Sequence, residues 1–296
     1  MKKKLPKIEK NVFLSKYTTF HIGGKADFFL IAKNKEELNS GILWAKKKKL
    51  PFFVLGNGSN LLVSDKGFRG LVIKVQNIKH NLQDEKIIAG AGIKLGDLLK
   101  IATKKNLSGL EWTVGIPGTI GGAVYGNAGS FDGSMKKSIE SVEVLDIKKN
   151  KIINFKNKDC KFGYRESVFK NKKNLIILSA KLKLEKKDKE EIKEKIKKYL
   201  FYKKERQPLR FFSAGSVFKN PKESGFSAGE LIAKAGLKGK RIGGAEISKI
   251  HANFIVNFKN AKSKDVIRLI NLIKKQVKNK FVIKLKEEIQ YLGKFN

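Results

Sequence analysis

Residues 115–129 read GIPGTIGGAVYGNAG, a glycine-rich and otherwise mostly apolar stretch in a chain of 296 residues. Six of these fifteen residues are glycine, which weakens regular structure because glycine loses the most backbone entropy on folding. A long glycine-rich stretch inside a domain is more typical of ligand binding than of an idle connection. It therefore predicts a backbone that wraps a large, flat, partly apolar cofactor carrying phosphates. A tightly packed loop is the alternative.

A second glycine-rich segment, GNGSNLL at residues 56–62, follows a predicted buried strand, FFVL at residues 52–55. Its small residues allow several backbone N–H groups to converge, and its serine and asparagines add side-chain donors. This combination suits a pyrophosphate group. The alternative is a plain β-turn, because Asn-Gly is the strongest hairpin dipeptide.

A third cluster, formed by Gly90, Gly92 and Gly96, lies between a predicted strand and a predicted helix. A dinucleotide fingerprint would need its third glycine three residues after the second, where this chain has Leu95. We interpret this cluster as a turn rather than a Rossmann site.

The first 180 residues alternate short β-rich runs with helical stretches, which predicts α/β architecture. Asn34 and Glu37 form a capping box for a helix. Residues 142–147 and 152–155 have the pattern of a hairpin.

Composition changes at residues 186–206, which are nearly all charged except for an apolar stripe at helical spacing. We place a domain boundary at this amphipathic helix. The last part of the chain is predicted to form a smaller unit. It would contain a helix from about Ser263 and a final strand at residues 281–285.

The chain carries a formal charge of +38, yet arginine occupies only six positions and lysine supplies the rest of the 65 basic residues. Readers of bases and phosphates favour the planar, bidentate arginine fork. The lysines are spread along the whole chain, which indicates solvated surface rather than specific nucleic-acid binding. The charge should still attract anionic ligands.

Cys160 is the only cysteine, which excludes an intramolecular disulfide and any cysteine-cluster metal site. The three histidines show no metal-ligand spacing, so no metal is expected. Lys16 interrupts the early apolar run, so no signal peptide forms, and no stretch is long enough to span a bilayer. These features predict a cytoplasmic protein without a membrane partner.

Three further places carry polar candidates. Residues 213–221, SAGSVFKNP, place the hydroxyl of Ser216 close to Lys219 and Asn220, although a lone serine is usually a surface or capping residue. In FGYRES at residues 162–167, Arg165 stands out because a lysine-rich chain retains arginine where a planar fork is required. Glu288 follows a predicted strand and on sequence alone is a solvated charge.

Taken together, these motifs resemble the MurB family of UDP-N-acetylenolpyruvoylglucosamine reductases (UDP-N-acetylmuramate dehydrogenases), in its shorter subtype without an inserted tyrosine loop. The chain departs from the family pattern at Gly126 and at Ser130-Phe131-Asp132. The resemblance runs nearly end to end, through residues 17–24, 55–62, 115–129, 163–167, 207–208, 213–221, 228–232, 247–257 and 285–289.

The resemblance implies an α+β fold with α/β lobes: a two-lobed FAD-binding domain of the PCMH/VAO type, then a smaller α+β substrate-binding domain. The implied boundaries are an N-terminal segment at 1–20, the FAD domain at 21–186 with lobes at about 21–76 and 77–186, a connecting helix at 187–206, and the substrate domain at 207–296, whose last strand returns Glu288 to the flavin. The residues implied to bind FAD are Gly56, Asn57, Gly58, Ser59, Asn60 and Leu61 in the first segment and Gly115, Gly118, Thr119, Gly121, Gly122, Asn127, Ala128 and Gly129 in the second.

The resemblance also implies the activity: NADPH-dependent, FAD-mediated reduction of UDP-N-acetylglucosamine enolpyruvate to UDP-N-acetylmuramate, a step in peptidoglycan precursor synthesis, by a monomeric enzyme. Arg165 and Glu288 would stabilise developing negative charge, and Ser216 would donate a proton. Glu288 can donate a hydrogen bond only when protonated, so a buried side chain is expected there. The implied substrate-binding residues are Tyr164, Lys219 and Asn220.

Two other functions stay open at this point. One is a flavin oxidase or dehydrogenase of the same fold, which would react with oxygen but not with the enolpyruvyl sugar nucleotide. The other is a basic RNA-binding protein, which would need clustered arginine and an aromatic stacking platform. The phenylalanines lie mainly in apolar strand patterns, which favours a core role for them.

Overall fold

The computed structural model describes residues 6–295. The strands are β1 (Ile8–Phe13), β2 (Lys25–Ala32), β3 (Phe52–Leu55), β4 (Leu61–Val63), β5 (Phe68–Val75), β6 (His80–Gln83), β7 (Lys86–Gly90), β8 (Leu107–Ser108), β9 (Gly129–Ser130), β10 (Gly133–Ser134), β11 (Ile139–Asp146), β12 (Lys151–Lys156), β13 (Leu175–Lys183), β14 (Glu185–Lys186), β15 (Phe212–Ser216), β16 (Arg241–Ile242), β17 (Ala245–Ile247), β18 (Phe254–Asn257) and β19 (Gln290–Leu292). The α-helices are α1 (Lys35–Lys47), α2 (Leu95–Lys104), α3 (Ile120–Gly126), α4 (Met135–Ser138), α5 (Val168–Asn171), α6 (Lys189–Arg206), α7 (Ala228–Lys234) and α8 (Ser263–Phe281). None of these helices is long and apolar enough to cross a membrane.

The described chain divides into two units that are not contiguous in sequence. The first contains residues 6–8, Leu30–Asn57 and Ile73–Tyr202, and the second contains Glu9–Phe29, Gly58–Val72 and residues 203–295. Strands β2 and β5 are central in a four-stranded sheet of order β1-β2-β5-β3. The contiguous domain boundaries expected from the sequence, 21–186 and 207–296, stay a proposal.

The first unit is built on a five-stranded antiparallel sheet of order β12-β11-β13-β7-β6. The predicted hairpin is confirmed as β11 and β12, with Val142 opposite Phe155. On its other side β11 pairs with β13, where Val142 lies opposite Ala180. Val142 and Ala180 are fully buried, and α3 packs on β13, so this sheet carries the core of the unit.

Helix α1 begins at the predicted Asn34 cap, but the reciprocal bond of a capping box is not made by the Asn34 N–H. The Glu37 backbone N–H donates to Asn34 Oδ1 at 2.8 Å, and Glu37 Oε2 accepts from the Lys33 N–H at 2.8 Å. These bonds satisfy donors that a helix start otherwise leaves open. Leu38 and Ile42 are buried on one face of the helix.

The second unit contains an antiparallel sheet of order β15-β18-β17-β16, with α7 and α8. Helix α7 begins with a capping box: the Ser227 side chain accepts from the Glu230 N–H at 3.2 Å, and Glu230 accepts from the Ser227 N–H at 2.8 Å. The core consists of apolar side chains from the sheet and both helices, among them Phe218, Leu231, Ile255, Val266, Ile270, Ile273 and Val277.

The predicted strand at residues 281–285 is wrong. Phe281 is the last residue of α8, and Val282 ends the helix in the left-handed region with φ of 62°. The final strand is instead β19, which pairs in parallel with β4, with Leu61 opposite Gln290. The alternating residues Phe281 and Ile283 pack against the core of the second unit without strand pairing, so alternation alone misassigned them.

Candidate functional site

Gly56 and Asn57, the first two residues of the first glycine-rich segment, contact the second segment inside the first unit. Asn57 Nδ2 donates to the Pro117 carbonyl at 2.7 Å. A Cβ atom built on Gly56 would lie 2.6 Å from Thr119 Oγ1, closer than real Cβ contacts come. Glycine at position 56 therefore permits the close approach of the two segments.

The central part of residues 115–129 is helical rather than irregular. Helix α3 covers Ile120–Gly126, and Thr119 caps it by accepting from the Gly122 N–H at 3.4 Å. The glycines weaken regular structure, as expected, but tertiary packing overrides their low helix propensity here. A Cβ on Gly121 would lie 2.9 Å from the Ala91 Cβ, so glycine is what allows α3 to pack on the turn at residues 90–92.

The geometry of these segments fits a phosphate-bearing cofactor. A Cβ on Gly126 would meet no described atom within 4 Å, and Gly122 and Gly115 are exposed, so their backbone faces open space. Gly118 and Thr119 are buried beside them. Accessible backbone next to a rigid buried wall is what a large flat ligand requires.

Lys74 is a basic residue at this place that the sequence did not single out. Its Nζ donates to the Gly56 carbonyl at 2.6 Å. Burial, and next the neighbouring charge of Lys94, lower the pKa of Lys74. An anionic group bound next to the Lys74 ammonium would offset this repulsion, so the position favours a negatively charged ligand.

Arg165 lies in a tight two-residue turn of the same unit. The Gly163 N–H donates to the Glu166 carbonyl at 3.0 Å, and the Glu166 N–H donates to the Gly163 carbonyl at 3.2 Å. Arg165 has φ of 56°, in the left-handed region. Its guanidinium lies 5.5 Å from the ring centre of Tyr164, which is exposed. Tyr164 and Arg165 therefore project together from this turn.

Asn127 connects the second glycine-rich segment to the Arg165 turn. Its Nδ2 donates to the Gly163 carbonyl at 2.7 Å, and its Oδ1 accepts from the Lys136 N–H at 2.9 Å. Asn127 is buried and has φ of 41°, a conformation that asparagine tolerates better than most residues. Ala128 and Gly129 follow it, so the end of the predicted cofactor segment is tied to the predicted catalytic arginine.

Ser216 lies in the second unit, at the end of β15. Strand β15 pairs with β18, with Ser216 opposite Phe254, and the register shifts between Ser213 and Ser216. Gly215 lies within this irregularity with φ of 76°. Bulges of this kind re-aim side chains and are frequent beside active sites.

Glu288 lies on the chain segment next to Ser216. The Glu288 N–H donates to the carbonyl of Val217 at 2.7 Å, and the Lys219 N–H donates to the Lys286 carbonyl at 2.9 Å. The structure thus brings Ser216 and Glu288 onto adjacent backbone segments, although 72 positions separate them in the numbering. The Glu288 side chain is half-buried, so the expectation of a buried side chain is met only in part.

Residues of the first glycine-rich segment also contact Glu288. The boundary between the two units falls after Asn57, so Gly58, Ser59, Asn60 and Leu61 belong to the second unit. Asn60 Nδ2 donates to the Glu288 carbonyl at 3.1 Å, and the Gln290 N–H donates to the Asn60 carbonyl at 3.0 Å. Leu61 is buried in β4, where it lies opposite Gln290 of β19.

Asn253 holds the segment after Ser216, and sequence reasoning did not assign it a role. Its Oδ1 accepts from the Phe218 N–H at 2.9 Å, and its Nδ2 donates to the Phe218 carbonyl at 2.8 Å. The Asn253 carbonyl also accepts from the Val217 N–H at 2.8 Å. This buried side chain thereby fixes the backbone between Ser216 and Lys219.

The two predicted substrate-binding residues of this unit differ in exposure. Asn220 is exposed, and its Oδ1 accepts from the Ala228 N–H at 3.0 Å, at the start of α7. Lys219 is half-buried, and its backbone pairs with Lys286. The Asn220 side chain is thus at least in part a structural acceptor.

Known proteins resemble this chain along nearly its whole length. The model of the FAD binding domain matches residues 26–156, and the model of the UDP-N-acetylenolpyruvoylglucosamine reductase C-terminal domain matches residues 207–292. The UDP-N-acetylenolpyruvoylglucosamine reductase of Caldanaerobacter subterraneus subsp. tengcongensis is 44% identical over 97% of this chain and 94% of its own. The reductase of Prochlorococcus marinus is 43% identical over 97% of this chain and 98% of its own. The crystal structure of the Thermus caldophilus enzyme superposes with a TM-score of 0.83 at 37% identity, over 97% of this chain and 99% of that one.

Proposed function

Because the chain belongs to the family of UDP-N-acetylenolpyruvoylglucosamine reductases, we propose that it reduces UDP-N-acetylglucosamine enolpyruvate to UDP-N-acetylmuramate, with bound FAD and with NADPH as the electron source. Its fold is an FAD-binding domain of the PCMH type followed by the C-terminal domain of the family, as predicted. The observation that carries the proposal is the pairing of the Ser216 segment with the Glu288 segment, since a hydroxyl and a carboxyl there suit protonation of a reduced carbon.

The wider role follows from this chemistry. The product would enter peptidoglycan precursor synthesis and thus cell-wall growth and division. We place the reaction in the cytoplasm, where NADPH and sugar nucleotides occur, and we propose a monomer. FAD, when bound, would relay two electrons from NADPH to the terminal CH₂ of the enolpyruvyl group.

The residues proposed to hold FAD are backbone groups of the two glycine-rich segments and the Lys74 ammonium. Gly56 and Asn57 contact the second segment through Thr119 and Pro117, which fixes the two segments against each other. Fixed backbone donors need no reorganisation when a pyrophosphate binds. Lys74, already placed on the Gly56 carbonyl, would offset part of the phosphate charge.

Arg165 is proposed to bind the carboxylate of the enolpyruvyl group. When a hydride equivalent reaches the CH₂ carbon, electron density moves from the double bond toward the neighbouring carbon and its carboxylate. A planar guanidinium offers two parallel donors to that carboxylate. Preorganised donors that point at the developing charge make the largest single contribution to transition-state stabilisation in many enzymes.

Ser216 is proposed to protonate the neighbouring carbon. The O–H bond of Ser216 breaks, a C–H bond forms at the carbon that bears the ether oxygen, and solvent returns a proton to Oγ. A serine hydroxyl is a weak acid, so this step needs a strongly basic, carbanion-like carbon and close placement. Glu288, in its protonated form, would donate a hydrogen bond to the developing negative charge.

The variant Ser216→Ala tests the proton-donor role. Under anaerobic conditions NADPH should bleach the flavin of this variant at the normal rate. Return of the flavin bands on addition of the enolpyruvyl sugar nucleotide should slow by about 10²–10⁴-fold, the usual contribution of general acid catalysis. Ser213→Ala, on the same strand, is the matched control and should keep both rates. Normal reoxidation in Ser216→Ala would show that another group supplies the proton.

A further inference from the structure

The backbone of Arg165 is held in a conformation that residues with side chains rarely adopt. Its φ of 56° lies in the left-handed region, where Cβ crowds the following carbonyl. Such conformations persist only where surrounding contacts impose them. Arg165 lies at the second position of a two-residue turn closed by Gly163 and Glu166, so its backbone decides where the guanidinium points.

Two side chains bind the backbone of this turn, one from a residue that precedes it in the chain and one from a residue that follows it. Lys170 Nζ donates to the carbonyl of Arg165 itself at 2.7 Å. Asn127 Nδ2 donates to the Gly163 carbonyl at the other end of the turn, also at 2.7 Å. One bond therefore fixes the peptide that enters the turn, and the other fixes the peptide that leaves Arg165.

Lys170 is itself well anchored. It lies on α5, whose neighbouring residues Val168 and Phe169 are buried, and its backbone N–H donates to the Ser167 carbonyl at 3.2 Å. Ser167 in turn donates from Oγ to the Tyr125 carbonyl at 2.6 Å, at the end of α3. The backbone that carries the Lys170 side chain is thus held in place. Its ammonium is a charged donor, which makes a stronger hydrogen bond than a neutral one.

We propose that Lys170 is a positioning residue for Arg165: its ammonium holds the Arg165 carbonyl and thereby orients the guanidinium toward the substrate carboxylate. This inference rests on the proposed role of Arg165. The half-reaction in which Arg165 acts, the reduction of substrate, should depend on Lys170, and the reduction of the flavin by NADPH should not.

The first test compares Lys170→Met with Lys170→Arg and with Lys172→Met, a neighbouring exposed lysine. Flavin reoxidation by the enolpyruvyl sugar nucleotide is followed in single turnovers. Lys170→Met should lower this rate by about ten- to a hundredfold, the scale of a misplacement near 1 Å. Flavin reduction should stay unchanged, Lys170→Arg should recover much of the rate, and Lys172→Met should behave as the parent chain. If Lys170→Met does not fold, Lys170→Gln takes its place.

A double-mutant cycle separates positioning from a general structural role. In an Arg165→Ala background there is no guanidinium to orient, so Lys170→Met should add no further loss. An equal loss in both backgrounds, or no loss in the parent chain, would overturn the inference while leaving the role of Arg165 intact. Normal reoxidation in Arg165→Ala alone would instead overturn the role of Arg165, and this inference with it.

Discussion

His251 is held in its neutral form by its surroundings in the second unit. Burial is the main cause that lowers its pKa below the ordinary value, and the nearby charge of Lys238 acts in the same direction. Its Nδ1 accepts from the Asn253 N–H at 3.2 Å, so the unprotonated nitrogen is used in the fold. This bond links His251 to the residue that fixes the Ser216 segment.

The lowered pKa of His251 predicts a loss of stability in mildly acidic solution. The folded chain binds this proton less readily than the unfolded chain does. The contribution of neutral His251 to the free energy of unfolding is therefore complete above the ordinary histidine pKa near 6.5 and declines as the pH falls below it. Denaturant unfolding at pH 7.5 and pH 5.5 measures the difference. His251→Asn should be less stable at pH 7.5 but show a smaller pH dependence, whereas His80→Asn, at an exposed position, should retain the parent dependence. Equal pH dependence in His251→Asn and the parent chain would refute this account.

The sequence could suggest Arg165 and Ser216 but not the residues that hold them. Lys170 and Lys74 each donate to a backbone carbonyl, yet lysine is so abundant in this chain that no pattern marks them. Asn253 lies inside a motif that the sequence does show, but its bonds to Phe218 join residues 35 positions apart. Such contacts exist only once the chain is folded.

Among the helices and strands, the sequence predicted those features whose interacting residues are close together in the chain. The Asn34 cap of α1 and the hairpin of β11 and β12 are confirmed because their partners are close in sequence. Helix α3 was missed because its glycines favour a loop locally, and only packing against Ala91 stabilises the helix. The last strand was misplaced because β19 pairs with β4, more than 200 residues earlier.

Gly56→Ala tests the contact between the two glycine-rich segments. The added methyl would lie 2.6 Å from Thr119 Oγ1, so either this hydroxyl, which caps α3, or one of the two segments must move. We expect a loss of about 1–3 kcal/mol in the free energy of unfolding, typical of overpacking, and weaker FAD binding measured by flavin fluorescence titration. Gly96→Ala in α2, where a Cβ would meet no described atom within 4 Å, is the matched control and should retain FAD affinity. Undiminished affinity in Gly56→Ala would argue against this contact as part of the cofactor site.

At the scale of the whole molecule, the excess of 65 basic over 27 acidic side chains surrounds the chain with positive potential. Such a field speeds the association of anionic ligands and is screened by salt. A positive potential does not by itself select one anion over another. We therefore expect it to attract anionic ligands in general, and it does not indicate a nucleic-acid function. FAD, NADPH and the UDP-sugar, the three nucleotide ligands proposed for this chain, all carry negative charges.

The charge predicts salt-sensitive capture of substrate. Raising the ionic strength from about 0.05 to 0.3 M should lower kcat/KM several-fold while changing kcat little, because screening acts on the encounter. Steady-state kinetics at constant pH measures both quantities. Reoxidation of the reduced flavin by dioxygen, an uncharged acceptor, is the internal control and should be nearly independent of salt. A kcat/KM that does not change with salt would show that the lysines have no part in substrate capture.

The most direct test of the central claim is an anaerobic visible absorbance spectrum of the purified protein, with NADPH added first and UDP-N-acetylglucosamine enolpyruvate second. We expect flavin bands that bleach with NADPH and return with the sugar nucleotide. Bands that bleach with NADPH but return only with oxygen would agree with an FAD-binding fold and contradict the proposed substrate. An absence of flavin bands, even after reconstitution with FAD, would contradict the assignment of the two glycine-rich segments to the cofactor.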